Sequence, residues 1–218
     1  MIHGENNPQL QNAHKLEGIS DCVLKFERLI NSLNRSFLKD NDSIKSSINL
    51  LKVDIESALL EETKLHPAYQ WLSKISGVDF VCMAKILGSI RFGPPDENEI
   101  NDKTGKQRWA HSRAALLIFC GLGVATGRDQ QKPVYQDANY RLRQLLFDQI
   151  KQFIAIKNNY YAVFYNEEKL RLQNQFSENR LAAASEDVIH IAAIRTTAIL
   201  FINHMWSITR ERIGLDVM

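Results

Sequence analysis

A strict heptad pattern near the amino terminus is the feature that most limits how this chain can fold. From Leu16 to Phe37 the apolar residues are spaced alternately three and four apart. This spacing keeps one side of a helix facing a partner helix, so a long helix with a single apolar seam is predicted here. The residues of the seam are Leu16, Ile19, Val23, Phe26, Ile30, Leu33 and Phe37.

A second amphipathic helix is predicted after a polar break at residues 39–43, which is rich in helix-capping residues. Two such helices joined by a short loop indicate an antiparallel, coiled-coil-like hairpin over residues 14–63. The seam of this hairpin can be covered in either of two ways. A second copy of the chain can cover it, which gives a homodimer through residues 16–59, or the rest of the same chain can cover it equally well. The apolar stripe of this second helix is Ile44, Ile48, Leu51, Ile55 and Leu59.

The rest of the chain, residues 64–218, also has helical rather than strand periodicity. Ten Gly and five Pro in 218 residues favour long helices. One helix is predicted along Leu142, Leu146 and Phe153, and it is expected to continue, with a bend, through the aromatic residues of 160–165. A last helix is predicted over residues 184–213. The predicted fold is all-α, with the N-terminal hairpin followed by one helical domain.

The net charge of +2 is unevenly distributed. Residues 103–180 contain 13 Lys and Arg against 6 Asp and Glu, which indicates either contact with a polyanion or a solvated basic face. The three cysteines, Cys22, Cys82 and Cys120, have no zinc-ligand spacing, so neither a metal site nor a disulfide framework is predicted. No apolar run reaches the length of a membrane span, and residues 1–10 lack a signal-peptide core. A cytoplasmic or nucleoid-associated protein is expected.

The stretch from Leu72 to Ile90 is typical of a helix-hairpin-helix, which binds nucleic acid without reading its sequence. Its turn glycine permits a tight corner, and main-chain amides at the start of the second helix then point at a phosphate. Ile75, Gly77, Val78 and Ala84 match the pattern. Asp79 stands where a second glycine is expected, and an ordinary helical corner with a glycine is the alternative.

The order of motifs from His66 onward resembles the C-terminal domain of the bridge-RNA-guided insertion-sequence transposases, which combine a RuvC-like nuclease domain with a helical domain carrying a nucleophilic serine. In that family a coiled-coil arm precedes the domain, where the heptad hairpin lies here. The resemblance extends over about 150 residues, and each of the matching motifs within them is short. They are His66-Pro67, Trp71-Leu72, Ile75–Val78, Ala84–Gly88, Cys120–Val124, Asn139–Arg143 and His204–Trp206.

The departures from this family concern catalysis. The chain has no room for a RuvC-like domain, and Thr126-Gly127 lies near the place where the family has its serine. The resemblance therefore implies DNA handling without strand cleavage, and no complete catalytic site and no cofactor are predicted.

The predicted partner is DNA or possibly RNA, bound by basic side chains and by the turn of the hairpin. A helical scaffold without nucleic acid, and a recombinase fragment that acts with a nuclease partner, are the alternatives. His190 and His204 are assigned to packing rather than to a metal site, as is the aromatic run of residues 160–165. The predicted nucleic-acid-binding residues are Lys74, Ser76, Gly77, Val78, Asp79, Lys85, Arg128, Lys132, Arg141 and Arg143.

Overall fold

The computed structural model describes residues 42–90, 112–123, 140–178 and 185–215. These residues form seven α-helices and no strand, which confirms the all-α prediction. The heptad seam of residues 16–37, Thr126, Arg128 and Lys132 lie outside them. The helices are α1 (Asp42–Lys64), α2 (Tyr69–Leu72), α3 (Phe80–Leu87), α4 (Arg113–Phe119), α5 (Tyr140–Ala155), α6 (Tyr160–Glu178) and α7 (Glu186–Arg212).

Helix α7 is the centre of the core and packs against α4, α5 and α6. Phe201 and Trp206 are fully buried on it, and Phe201 meets Trp71, Phe153 and Tyr161 at ring-centroid distances of 5.8, 5.3 and 5.1 Å. By length and composition alone α7 could cross a membrane, with a mean hydropathy of 1.4 over 18 residues. A helix at the centre of a core passes the same test, and 44% of this window is buried.

The direction of the helices follows from contacts near their ends. The Tyr161 hydroxyl lies 3.0 Å from His204 Nδ1, and Lys169 Nζ lies 2.9 Å from Glu186 Oε1, so α6 and α7 are antiparallel. Phe153 stacks on Tyr161 across the short connection between α5 and α6.

Two boundaries differ from those that the sequence predicts. The expected bent continuation of α5 through the aromatic run is a complete break, because Asn159 begins a new helix by accepting the Tyr161 amide at 2.8 Å. The first helix of the expected helix-hairpin-helix is reduced to the single turn of α2, since residues 73–79 are not α-helical. The sequence signal for the second boundary was present in Ser73, Ser76 and Gly77, which favour turns.

Helix α1 packs against the described part of this core through its C-terminal half. Leu59 is fully buried and Ile55 packs against the core, where α1 meets α3. Leu50, Leu51 and Val53 are respectively 66%, 46% and 58% exposed. The first half of α1 therefore carries apolar side chains that no other described residue covers.

Candidate nucleic-acid interface

The turn between α2 and α3 is packed against the α5–α6 corner. Gly77 has φ +86°, the left-handed region that glycine enters without strain. A Cβ atom at this position would lie 2.7 Å from Cδ1 of Ile156, which follows the last residue of α5, so the Ile156 side chain would have to shift. The Ser76 carbonyl accepts a hydrogen bond from Asn159 Nδ2. The predicted glycine requirement is thus met, and it serves internal packing.

Gln149 of α5 clamps the same turn with both atoms of its amide. Its Nε2 donates to the Gly77 carbonyl at 2.9 Å, and its Oε1 accepts the Asp79 amide at 3.0 Å. The side chain is fully buried, so these bonds satisfy an amide that would otherwise be costly to bury. The clamp fixes the turn relative to α5.

Asp79 caps α3 with its own carboxylate. Its backbone is extended (φ −82°, ψ 104°), and its Oδ1 accepts the amides of Val81 at 3.0 Å and Cys82 at 3.1 Å. These are amides of the kind that a helix-hairpin-helix offers to a phosphate. A phosphate oxygen would have to displace a carboxylate oxygen to reach them, and the remaining negative charge would repel it.

A second carboxylate lies close to Asp79. The pKa of the Cys82 thiol is raised to about 12, chiefly by burial and also by the charges of Asp79 and Asp148, while the charge of Lys85 acts in the opposite direction. All three charged side chains are therefore near the same thiol. Lys151 Nζ pairs with Asp148 Oδ1 at 3.1 Å. Near the turn between α2 and α3, the charges are therefore the Asp79 carboxylate and the Asp148 carboxylate that Lys151 neutralises. This arrangement disfavours the binding of an anion there.

The other end of the α3–α5 pair is basic. Cys82 Sγ donates to the Leu145 carbonyl at 3.4 Å, and together with the Gln149 clamp this contact makes α3 and α5 antiparallel. Lys85 lies one turn beyond Cys82, and Arg141 lies one turn before Leu145. Residues three or four apart share a helix face, so Lys85 and Arg141 extend in the same direction from facing sides of the two helices.

Arg143 lies at the same end of α5 as Arg141. Its guanidinium carbon is 5.1 Å from the centre of the Tyr140 ring, a cation–π contact that orients the side chain. We call Lys85, Arg141 and Arg143 the α3–α5 basic edge. All three side chains are half-buried rather than fully extended into solvent.

Eight of the ten predicted residues are described by the structure, and these eight fall into two groups. Lys74, Ser76, Gly77, Val78 and Asp79 lie at the hairpin turn, whereas Lys85 lies in the last turn of α3 and Arg141 and Arg143 lie in the first turn of α5. Lys74, Ser76 and Asp79 are exposed, whereas Gly77 and Val78 are half-buried.

Sequence reasoning missed Gln149 and Asn159, which hold the turn. Gln149 falls three residues after Leu146 on the apolar stripe of α5, and a lone polar residue on such a stripe is a detectable signal for a buried hydrogen bond. Asn159 could have been found as a capping residue before the aromatic run.

The histidines and two residues of the aromatic run, Tyr161 and Tyr165, have packing roles, whereas Tyr160 of the same run is 63% exposed, contrary to the prediction. His204 and His190 bond the hydroxyls of Tyr161 and Tyr165, and both tyrosines are buried. Burial raises the pKa of Tyr161 above its ordinary value. Among the described residues no group of three or more His, Cys, Asp or Glu side chains could hold a metal ion.

Comparison with family models, curated proteins and solved structures gives no match to this chain.

Proposed function

We propose that this chain binds double-stranded DNA through phosphate contacts made by the α3–α5 basic edge. The observation that carries the proposal is the antiparallel register of α3 and α5, which brings Lys85 and Arg141 to one end of the pair. The resemblance to the helical domain of insertion-sequence transposases and the excess of basic residues over 103–180 support the same partner.

The proposal places the phosphate contact at side chains rather than at the main-chain amides of the turn. The Asp79 cap and the Gln149 clamp already bond the amides of three residues there. Lys and Arg side chains contact phosphates without reading bases, so binding is expected to be independent of sequence and strongly dependent on salt.

The test is a series of binding isotherms at several salt concentrations with a duplex of arbitrary sequence. The double variant Lys85→Gln/Arg141→Gln removes two charges. We expect the slope of log affinity against log salt to fall by about 0.9 for each phosphate that is no longer neutralised.

The matched control is Lys169→Gln/Arg171→Gln, which also removes two charges. Lys169 pairs with Glu186, and Arg171 binds both oxygens of Glu168 at 2.7 and 2.8 Å, so these cations are already neutralised. The control should keep the wild-type slope. An equal fall of the slope in both variants, or no binding by the wild type at low salt, would refute the proposal. A parallel series with duplex RNA identifies the preferred nucleic acid.

A helical scaffold that assembles through α1 is the second candidate. Leu50 precedes Leu59 by nine residues, which at about 100° per residue puts it on the side opposite the core. Val53 and Leu51 extend the exposed apolar surface beside it. Single exposed apolar residues are common, but three within four positions of one helix indicate a covered face.

We propose a second copy of the chain as the partner of this face. Sedimentation equilibrium of Leu50→Ser/Val53→Ser should show a monomer where the wild type shows a dimer. Leu170→Ser, which changes a leucine of similar exposure on α6, is the control. A monomeric wild type at tens of micromolar would contradict this candidate and leave the DNA proposal intact.

A further inference from the structure

An exposed tyrosine packs on a buried group of rings at the start of α6. Tyr160 is the first residue of this helix, and 63% of it is exposed to solvent. The centre of its ring lies 5.3 Å from that of Tyr161, at an interplanar angle of 81°, and 6.2 Å from that of His204. Tyr160 is thus held against other rings and still leaves most of its surface in solvent.

The rings beneath Tyr160 belong to the core. The Tyr161 hydroxyl lies 3.0 Å from His204 Nδ1, and the Tyr161 ring stacks on Phe153 and meets Phe201 edge-on, with centroid distances of 5.2 and 5.1 Å. Both phenylalanines are fully buried. Because the support is rigid and tyrosine has few rotatable bonds, Tyr160 loses little conformational freedom when a flat ligand binds to it.

An exposed lysine lies in the same corner of the chain. Lys157 precedes Tyr160 by three residues, between α5 and α6, and it forms no ion pair or hydrogen bond with any other described residue. Asn159 fixes the corner from both sides, since its Nδ2 donates to the Ser76 carbonyl and its Oδ1 accepts the Tyr161 amide at 2.8 Å. Lys157 and Tyr160 are therefore carried by an anchored segment.

The carboxylates near the hairpin turn are engaged away from this corner. Asp79 Oδ1 accepts two main-chain amides at the start of α3, and Asp148 is paired with Lys151. Asp148 also precedes Lys157 by nine residues, which is about 13 Å in the direction of α5. These carboxylates therefore do not neutralise Lys157.

An aromatic ring in solvent beside a lysine suits the chemistry of an unpaired nucleotide. The base can stack on the ring, and the phosphate next to it can pair with the ammonium group. A base inside a duplex has both faces covered by the neighbouring base pairs, so a surface ring does not reach them. This chemistry favours a single strand over a duplex.

We infer that Tyr160 and Lys157 bind an unpaired nucleotide of single-stranded DNA, at a site separate from the α3–α5 basic edge. The 16 residues of α5, about 24 Å, separate Arg141 in its first turn from the corner after its end. The choice of ligand rests on the proposed DNA binding, but the two sites share no residue. The competing explanation is that Tyr160 only covers the rings beneath it, which would affect the melting temperature and the binding of both DNA forms equally.

The experiment measures the affinity for an oligothymidine of about 12 nucleotides, within the usual range of single-strand site sizes, and for a blunt duplex. Tyr160→Ala should weaken single-strand binding by about 5- to 150-fold, the effect of one stacked base, and leave duplex binding unchanged. Tyr160→Phe keeps the ring and should bind like the wild type. Val163→Ala is the control, since Val163 lies one turn further along α6 and is 51% exposed.

The charge is tested separately from the ring. Tyr160→Ala removes no charge, so its single-strand affinity should fall without a change in the slope of log affinity against log salt. Lys157→Gln should lower that slope by about 0.7, the value for one phosphate of a single strand. A wild-type slope in Lys157→Gln would overturn the phosphate contact assigned to this lysine.

The outcomes separate this inference from the proposed function. A loss confined to single-stranded DNA in Tyr160→Ala, with Tyr160→Phe and Val163→Ala like the wild type, supports the inference. Unchanged single-strand affinity in Tyr160→Ala, or a wild type that binds the duplex alone, overturns it and leaves the proposed function standing. Equal weakening of both DNA forms with a lowered melting temperature also overturns it. A wild type that binds only the single strand, and loses it in Tyr160→Ala, supports the inference and overturns the duplex proposal.

Discussion

Gln149 Oε1 accepts the main-chain amide hydrogen of Asp79 at 3.0 Å, across 70 positions of the sequence. The same side chain donates to the Gly77 carbonyl. In a helix or a strand, the Asp79 amide and the Gly77 carbonyl would have backbone partners, and here the buried Gln149 side chain takes their place. This arrangement sets the position of the turn and decides which of its polar groups can meet a ligand.

Replacing Gln149 with leucine should cost about 2–3 kcal/mol of unfolding free energy. Leucine has a similar size, but it leaves the Asp79 amide and the Gly77 carbonyl without their partner in a partly buried place. Urea denaturation gives the value. Gln144→Leu is the control, since Gln144 lies exposed on the same helix and bonds only Asp148 among the contacts described. Equal destabilisation in the two variants would mean that the clamp contributes nothing specific.

Gly77→Ala should destabilise the fold more than Gly214→Ala. Both glycines have positive φ, +86° and +75°, so both substitutions incur a backbone strain of about 1 kcal/mol. At Gly77 the new Cβ also meets Ile156 Cδ1, whereas at Gly214 nothing lies within 4 Å. Adding Ile156→Ala should relieve the steric part of the destabilisation and leave the strain. Equal destabilisation at both glycines in urea melts would show that the Ile156 side chain moves aside at little cost.

Asp79→Ala should cost about 1 kcal/mol, the typical effect of removing an N-cap side chain. Asp79→Asn retains an acceptor for the Val81 and Cys82 amides and should remain close to the wild type in stability. It also removes a negative charge from the turn, so DNA affinity should rise or stay unchanged. Reduced DNA affinity in Asp79→Asn, measured beside its thermal melt, would mean that this carboxylate assists binding.

The helical periodicity of the sequence was sufficient to predict α5 and α7, because each buries one apolar stripe whose spacing is visible directly. It was not sufficient to find the break before Asn159, since the apolar and aromatic residues on either side continue the same spacing. There the capping bond to the Tyr161 amide outweighs the periodicity. The heptad seam of residues 16–37 stays a prediction, as do Arg128 and Lys132.

The residues of the candidate site were predictable as types but not as a group. Lys85 and Arg141 lie within short motifs, yet their common position depends on the contact between Cys82 and Leu145, 63 residues apart. Long-range pairings of this kind leave no local pattern in a single sequence.

A buried histidine at the end of α1 makes stability depend on pH. Burial lowers the pKa of His66 to about 3, and its Nδ1 accepts the Ala68 amide at 3.1 Å, so the ring is neutral in the folded protein. In the unfolded chain the pKa is near 6.5. The unfolded state therefore binds a proton that the folded state does not, over the whole range between these two values.

Unfolding free energy should accordingly be constant above about pH 7 and fall as the pH drops below about 6.5, by up to about 1.4 kcal/mol per pH unit. His66→Asn keeps an acceptor for the Ala68 amide but cannot titrate, so its profile between pH 6.5 and 4.5 should be flatter than that of the wild type. The lowered pKa of His204, also caused by burial, contributes with the same sign to both proteins. Urea melts across this range measure the difference, and parallel profiles for the two proteins would show that His66 is protonated in the folded state or exposed to solvent.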